Sequence, residues 1–165
     1  MADDRAKLEF FVEELGLLFE EMGERRMNGR VLGYLMLSSD PHVSTAELMQ
    51  ELNASAGSIS AATRALSAPG FIRRVSVPGS RGHFYRADDD VWGAFLATEH
   101  RYLYKRQRLA DEVVAALGAE DDIVRRRMAN MRDYFNWLEA RHRTLGNEWE
   151  EYKRQRDAER GDDAG

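Results

Sequence analysis

The chain has 165 residues, 43% of them hydrophobic, with 29 acidic against 24 basic side chains, a net charge of −5 and no cysteine. That length suits one compact domain with an extension, and the missing thiols exclude disulfides, thiolate metal sites and cysteine-based redox sensing. No apolar run reaches the ~18 residues that begin to suggest a membrane span, and MADDRAKLEF lacks the cationic head and apolar stretch of a secretory signal, so no membrane association and a cytoplasmic location are expected.

The first 24 residues hold eight acids and two bases, and Leu8, Phe11, Val12, Leu15, Leu18, Phe19 and Met22 recur at spacings of three and four. This predicts an amphipathic helix over 1–24, ended near Gly23, with its apolar stripe available for dimerisation. A second helix is expected from Arg25 to Leu37, closed by Ser-Asp-Pro because Pro41 disfavours helical backbone at Asp40. Ser44-Thr45-Ala46-Glu47 reads as a capping box opening a two-turn helix, in which the Ser44 hydroxyl accepts from the Glu47 amide and the carboxylate reaches back. Asn53 and Ala54 turn the chain into a further helix capped by Ser55 and stopped by Pro69 and Gly70. From Phe71 the pattern becomes FIRRVSV, PGSRG, HFYRA, an antiparallel hairpin with a basic tip.

The rest is helical. One helix carries Trp92, Phe95, Leu96, Tyr102, Leu103, Leu109, Val113 and Leu117, with Asp88 to Asp90 as candidate caps, and breaks at Leu117-Gly118. A last helix repeats Val124, Met128, Met131, Phe135, Leu138, His142, Leu145, Trp149 and Tyr152 in steps of four and three, a coiled-coil pattern and a rod of roughly 40 Å. Such a rod is longer than its own domain can cover, so a second copy of the chain is the expected partner, met at Leu8, Phe11, Leu15, Phe135, Leu138, His142, Leu145, Trp149 and Tyr152. The expected organisation is an N-terminal dimerisation helix (1–24), a central helix-and-hairpin domain (25–87), a C-terminal helical dimerisation region (88–156) and a flexible tail (157–165).

The segment 53–87 stands apart, because it holds five arginines (Arg64, Arg73, Arg74, Arg81, Arg86) and no acid in a chain that is acidic overall. Charge of one sign confined to one segment is what an anion-binding face requires. On a helix over 55–68, Ile59, Ala62, Thr63 and Leu66 fall on one side, and Gly57, Ala61, Arg64 and Ala68 fall opposite, flanked by Ser58 and Ser60. A face this small suits a tight helix–helix contact, or close approach to the major groove of DNA, ~12 Å wide. The hairpin favours DNA. The amides near Ser55 and Gly57 then bind phosphate, Ser58, Ser60 and Ala61 lie at base edges, and Arg64 is placed to read guanine. Arg73 and Arg74 are neighbours on one strand, so only one shares a face with Arg86. Arg81 at the tip is suited to a minor groove, with His83 beside it as a further wing contact.

Residues 11–87 resemble the winged helix-turn-helix of the MarR superfamily, and most of all its GbsR-like branch, through Met27–Ser38 (MNGRVLGYLMLS), Ser44–Leu48 (STAEL) and Gly57–Leu66 (GSISAATRAL). The resemblance implies a mainly α fold with a small β-hairpin, a winged helix-turn-helix carried between long terminal dimerisation helices. It further implies a homodimeric, sequence-specific regulator, a repressor by expectation, bound to an inverted repeat in double-stranded DNA with 55–67 as recognition helix and 77–83 as wing. Wings of the superfamily often carry an aspartate two residues before the arginine, where this chain has Gly79. The resemblance also implies a small-molecule effector, of choline type in the GbsR-like branch.

Trp92, Phe95, Tyr102, Tyr134 and Trp137 offer aromatic faces that could cage a quaternary ammonium, although periodic aromatics equally serve as core. His42, His83, His100 and His142 are scattered without metal-ligand spacing, so no metal site and no cofactor are expected. No phosphate loop, nucleophile elbow or paired catalytic carboxylate is present, which leaves an enzyme without a sequence basis. A winged domain serving only as a protein-interaction adaptor is the alternative, and the acid-free segment argues against it.

Overall fold

The computed structural model describes residues 2–116 and 122–162, apart from the side chains of 2–4, 98–102 and 161–162. Six helices, α1 (Ala2–Glu21), α2 (Arg26–Leu37), α3 (Thr45–Glu51), α4 (Ala56–Ser67), α5 (Val91–Ala116) and α6 (Asp122–Asp162), accompany three strands, β1 (Val43–Ser44), β2 (Ile72–Val75) and β3 (Phe84–Ala87). The chain divides into two compact units after Ala94, inside α5.

In the first unit three helices end the same way. At α1 the amide of Glu24 donates to the Phe19 carbonyl at 2.9 Å and that of Gly23 to Glu20 at 3.0 Å. The same pair of bonds recurs at Asn53–Ala54 after α3 and at Gly70–Phe71 after α4. This closure needs one left-handed residue, supplied by Gly23 (φ 82°), Asn53 (φ 46°) and Gly70 (φ 88°). Side chains start the helices. Ser44 accepts from the Glu47 amide at 3.1 Å and Ser55 from the Ser58 amide at 3.2 Å. The expected capping box is completed differently, for the Glu47 carboxylate accepts from the Tyr34 hydroxyl at 3.2 Å. Burial first, and Glu47 second, push the Tyr34 phenol up to about 12.

Helix α1 lies along α2 at a crossing made of glycine. A methyl group on Gly29 would sit 2.2 Å from the Leu15 carbonyl oxygen and 2.8 Å from the Gly16 Cα. This proximity seats Val12, Leu15 and Phe19 in a core with Val31, Leu32, Leu35, Leu48, Ile59 and Leu66. The α1 stripe therefore splits. Leu15, expected at a dimer interface, is only 8% exposed because it packs against α2 of its own chain, whereas Leu8, Phe11, Leu18 and Met22 stay exposed. The crossing is also clamped by charge: Glu13 accepts from Arg26 and from Arg30, each at 2.7 Å. Desolvation raises the Glu13 carboxyl, but the bonds and charges of Arg26 and Arg30 outweigh it and hold the group below its ordinary value.

The sheet has one more strand than the sequence suggested. Its order is β1-β3-β2, all antiparallel, with Val43 opposite Tyr85 and Arg73 opposite Arg86. Two residues carry too little pattern to be read as a strand; β1 forms because β3 presents a free edge beside the start of α3. Phe71 links the helices to this sheet, edge-on to Phe19 at 6.1 Å and to Trp92 at 5.6 Å.

The second unit holds the rest of α5 and the long α6. Leu103 and Ala110 are buried, and the Arg106 guanidinium lies 5.8 Å from the Phe135 ring centre. Helix α6 runs 41 residues, ~60 Å at 1.5 Å per residue, and passes through Gly146. Residues 157–162, expected as a tail, continue the helix. Pairs such as Glu151 with Gln155 and with Arg154 extend along its last turns and favour helix there. The Leu117-Gly118 break and the end of the tail lie outside the described residues.

Candidate nucleic-acid interface

Helix α4 is built as its periodicity dictates. Ile59, Ala62, Thr63 and Leu66 are buried, and the Thr63 hydroxyl, taken from water, donates to the Ile59 carbonyl at 2.9 Å. Ser55, Gly57, Ser60 and Arg64 are exposed, with Ser58 and Ala61 half-buried between them. Arg64 bends back along its own helix, its Nε donating to the Ser60 carbonyl at 3.2 Å, and its side chain stays exposed. Nothing lies within 4 Å of a Cβ built on Gly57, so this glycine fills no internal packing need. The result is a helix N-terminus capped by Ser55, a low outer face and one cation.

The wing turns at Val77-Pro78-Gly79-Ser80, where the Ser80 amide donates to the Val77 carbonyl at 3.1 Å and Gly79 takes φ 79°. Proline followed by a left-handed glycine is the signature of a type II turn, and this is why glycine occupies the position where an aspartate was anticipated from the resemblance. Arg81 and His83 follow on the exposed side of the turn. The strands then sort the remaining arginines. Arg73 and Arg86 face each other across β2 and β3, while Arg74 pairs with Tyr85 on the opposite face.

Two of these cations are less free than the acid-free stretch implied. Asp88, one residue beyond it and largely buried, binds Arg73 Nε at 2.6 Å and Arg86 at 3.5 Å. Of the candidate caps Asp88 to Asp90, Asp90 starts α5, its carboxylate accepting from the Gly93 amide at 3.0 Å, while Asp88 serves the wing instead. Sequence reasoning missed the Asp88 clamp because the acid lies outside the basic segment and meets it only once the hairpin forms. Arg74 is also engaged, donating to Nδ1 of His83 at 2.5 Å.

The aromatic residues considered for an effector are distributed over both units. Trp92 belongs to the first, half-exposed and set edge-on against Phe71. Phe95, Tyr134 and Trp137 belong to the second, where the Tyr134 and Trp137 rings stand 6.3 Å apart. The Tyr102 side chain lies outside the described residues. A cavity of about 250 Å³ occurs elsewhere, between α1, α2 and the end of α3, bordered by Leu8, Val12, Arg30, Tyr34 and Leu52. Among the described residues no group of three metal-ligating side chains gathers, and no helix is long and apolar enough to cross a membrane.

A capped helix over a helical core, followed by a three-stranded sheet with a basic hairpin, is a winged helix-turn-helix, the architecture of DNA-binding regulators. Comparison with known proteins agrees. The model of the MmpR5-like MarR family of transcriptional regulators matches residues 90–152. HTH-type transcriptional regulator MmpR5 of Mycobacterium tuberculosis is 36% identical over 129 residues, covering 78% of each chain. A crystal structure of a transcriptional regulator superposes with a TM-score of 0.79 at 32% identity, over 88% of this chain and 99% of the other. The S. aureus MepR-DNA complex, at 16% identity over 81% and 94% of the two chains, has a TM-score of 0.40, too loose to bear on the site. The chain belongs to the MarR-like family of transcriptional regulators. The matching model names the MmpR5-like group, where the sequence motifs had pointed to the GbsR-like branch.

Proposed function

We propose that the protein is a homodimeric repressor that binds an inverted repeat in double-stranded DNA, each protomer laying α4 in a major groove and its wing on the adjacent backbone or minor groove. The outward face of α4 carries this reading: Gly57, Ser60 and Arg64 are exposed while the opposite face is wholly engaged in the core. A glycine with neither a packing contact nor a left-handed φ weakens a helix by ~1 kcal/mol, a cost that makes sense where an outside surface must come close.

Support for the dimer is the apolar surface each unit leaves uncovered. In the first, Leu8, Phe11, Leu18 and Met22 of α1 are exposed. In the second, Ile123, Tyr134, Trp137, Leu145 and Tyr152 are each more than half exposed, and on a helix they fall within an arc of about 80°. This outward stripe lies beside the Phe135, Leu138, His142 and Trp149 stripe, whose members are half-buried within the single chain. Two grooves bound by a two-fold assembly lie ~34 Å apart, which is why an inverted repeat is expected.

Selection of bound sequences from random duplex DNA, followed by titration of the selected site, tests the proposal. Arg64→Ala should weaken the selected site by about 1–3 kcal/mol and leave random DNA nearly unaffected. Equal losses on both would remove Arg64 from base reading, and a selection yielding no two-fold site would remove the inverted repeat.

A further inference from the structure

Arg73 and Arg86 stand directly opposite one another on β2 and β3, on the sheet face turned away from the buried Ile72. Like charges in such a position repel and weaken the strand pair. The next pair on this face, Val75 with Phe84, is apolar. What holds the two cations together is the Asp88 carboxylate, 2.6 Å from Arg73 Nε and 3.5 Å from a terminal nitrogen of Arg86. The Asp88 side chain is 16% exposed, against 61% for Arg73 and 50% for Arg86, so the anion is the covered member of the trio and the cations are the accessible ones.

We propose that Asp88 is a positioning residue for DNA binding, setting Arg73 and Arg86 as one preformed guanidinium pair that receives a backbone phosphate of the duplex. The inference rests on the DNA-binding reading above and deepens it. Two guanidiniums carry about ten N–H donors and one carboxylate offers about four lone-pair sites, so donors remain for a second anion. Two positive charges and one negative leave the trio positive, as that anion requires. Tying β2 to the segment that enters α5 needs only one arginine on Asp88; the second adds repulsion across the strands and is accounted for by a ligand that takes both. Holding two long side chains in place before contact removes the ordering cost that binding would otherwise carry.

The sign of one substitution separates positioning from plain electrostatics. Asp88→Asn deletes a negative charge well within a Debye length of both arginines, ~10 Å at 0.1 M salt, so electrostatics alone would strengthen binding to every duplex. If the carboxylate positions the pair, binding weakens in spite of the gained positive charge. Arg73→Lys draws the same distinction with Asp88 intact, because lysine keeps the charge but has neither the Nε–H that meets Asp88 nor the planar fork.

Titration of the full-length protein with its selected duplex at one salt concentration, beside urea unfolding to show that each variant is folded, tests the proposal. Asp88→Asn should weaken the duplex about fivefold for each wing, the worth of roughly one hydrogen bond. Arg73→Lys should lose a similar factor, and Asp88→Glu should lie nearer wild type. In an Arg73→Ala, Arg86→Ala background, Asp88→Asn should weaken binding no further, because the groups it acts through are gone. Equal or tighter binding by folded Asp88→Asn overturns the proposal, as does a loss that persists in that background; if Asp88→Asn does not fold, Arg73→Lys decides, and binding equal to wild type overturns it. Each of these results leaves the DNA-binding reading standing, whereas a wild-type protein that binds no duplex takes both down.

Discussion

The α1–α2 crossing yields the sharpest stability prediction, the substitution Gly29→Ala. The new methyl would lie 2.2 Å from the Leu15 carbonyl oxygen, 2.7 Å from its carbon and 2.8 Å from the Gly16 Cα, well inside the 3.4 Å at which ordinary contact begins. All three atoms are backbone, so no side chain can rotate away, and the helices must part by about an ångström. Parting them loosens Val12, Leu15 and Phe19 against Val31, Leu32 and Leu35, the centre of the first unit's core. Overpacking of this kind costs about 1–3 kcal/mol, and the upper end applies when backbone must move. Alanine's better helix propensity returns up to ~1 kcal/mol, leaving a net loss of about 2 kcal/mol. Urea unfolding followed by far-ultraviolet circular dichroism, at one fixed protein concentration because the proposed dimerisation would add to apparent stability, measures it. Gly146→Ala in α6 is the matched control, with nothing within 4 Å of its Cβ, and should stabilise by ~0.5–1 kcal/mol. A Gly29→Ala midpoint equal to or above wild type would show that the two helices are not in contact as described.

Other expectations follow from the charges. Glu13→Gln removes the shared acceptor of Arg26 and Arg30; since Glu13 is 39% exposed and screened, the loss at neutral pH should be only ~1 kcal/mol. Because the folded Glu13 carboxyl is held below its ordinary value, that contribution is present above about pH 4.3 and fades as pH falls through the folded value, so wild type and variant should converge in acid unfolding. Tyr34 behaves oppositely. With its phenol raised to about 12, its contribution is intact below the ordinary tyrosine range and is lost as pH climbs toward 12; Tyr34→Phe should be less stable at neutral pH yet show a shallower alkaline decline. Arg81→Ala should weaken selected and random DNA alike and lower the salt slope of binding by ~1 if Arg81 meets a phosphate, which titration at several salt concentrations reads directly.

The sequence by itself determined what depends on a few consecutive residues. The caps at Ser44 and Ser55, the stops at Gly23 and Gly70, and the inward set Ile59, Ala62, Thr63 and Leu66 follow from turn chemistry and helical period, and the structure has each of them. Tertiary structure decided what depends on residues distant in the chain. The two-residue strand β1 exists only because β3 offers it an edge, and Asp88 becomes a partner of Arg73 only when the hairpin folds back. Likewise, one amphipathic pattern on α1 cannot say which residues meet α2 and which stay outside; Gly16 and Gly29 set that by letting two backbones touch, and so drew Leu15 inward. Local pattern encodes which elements form, because propensity, caps and period act within a turn or two. How deeply their faces engage depends on backbone approach across the crossing, a quantity that no single segment contains.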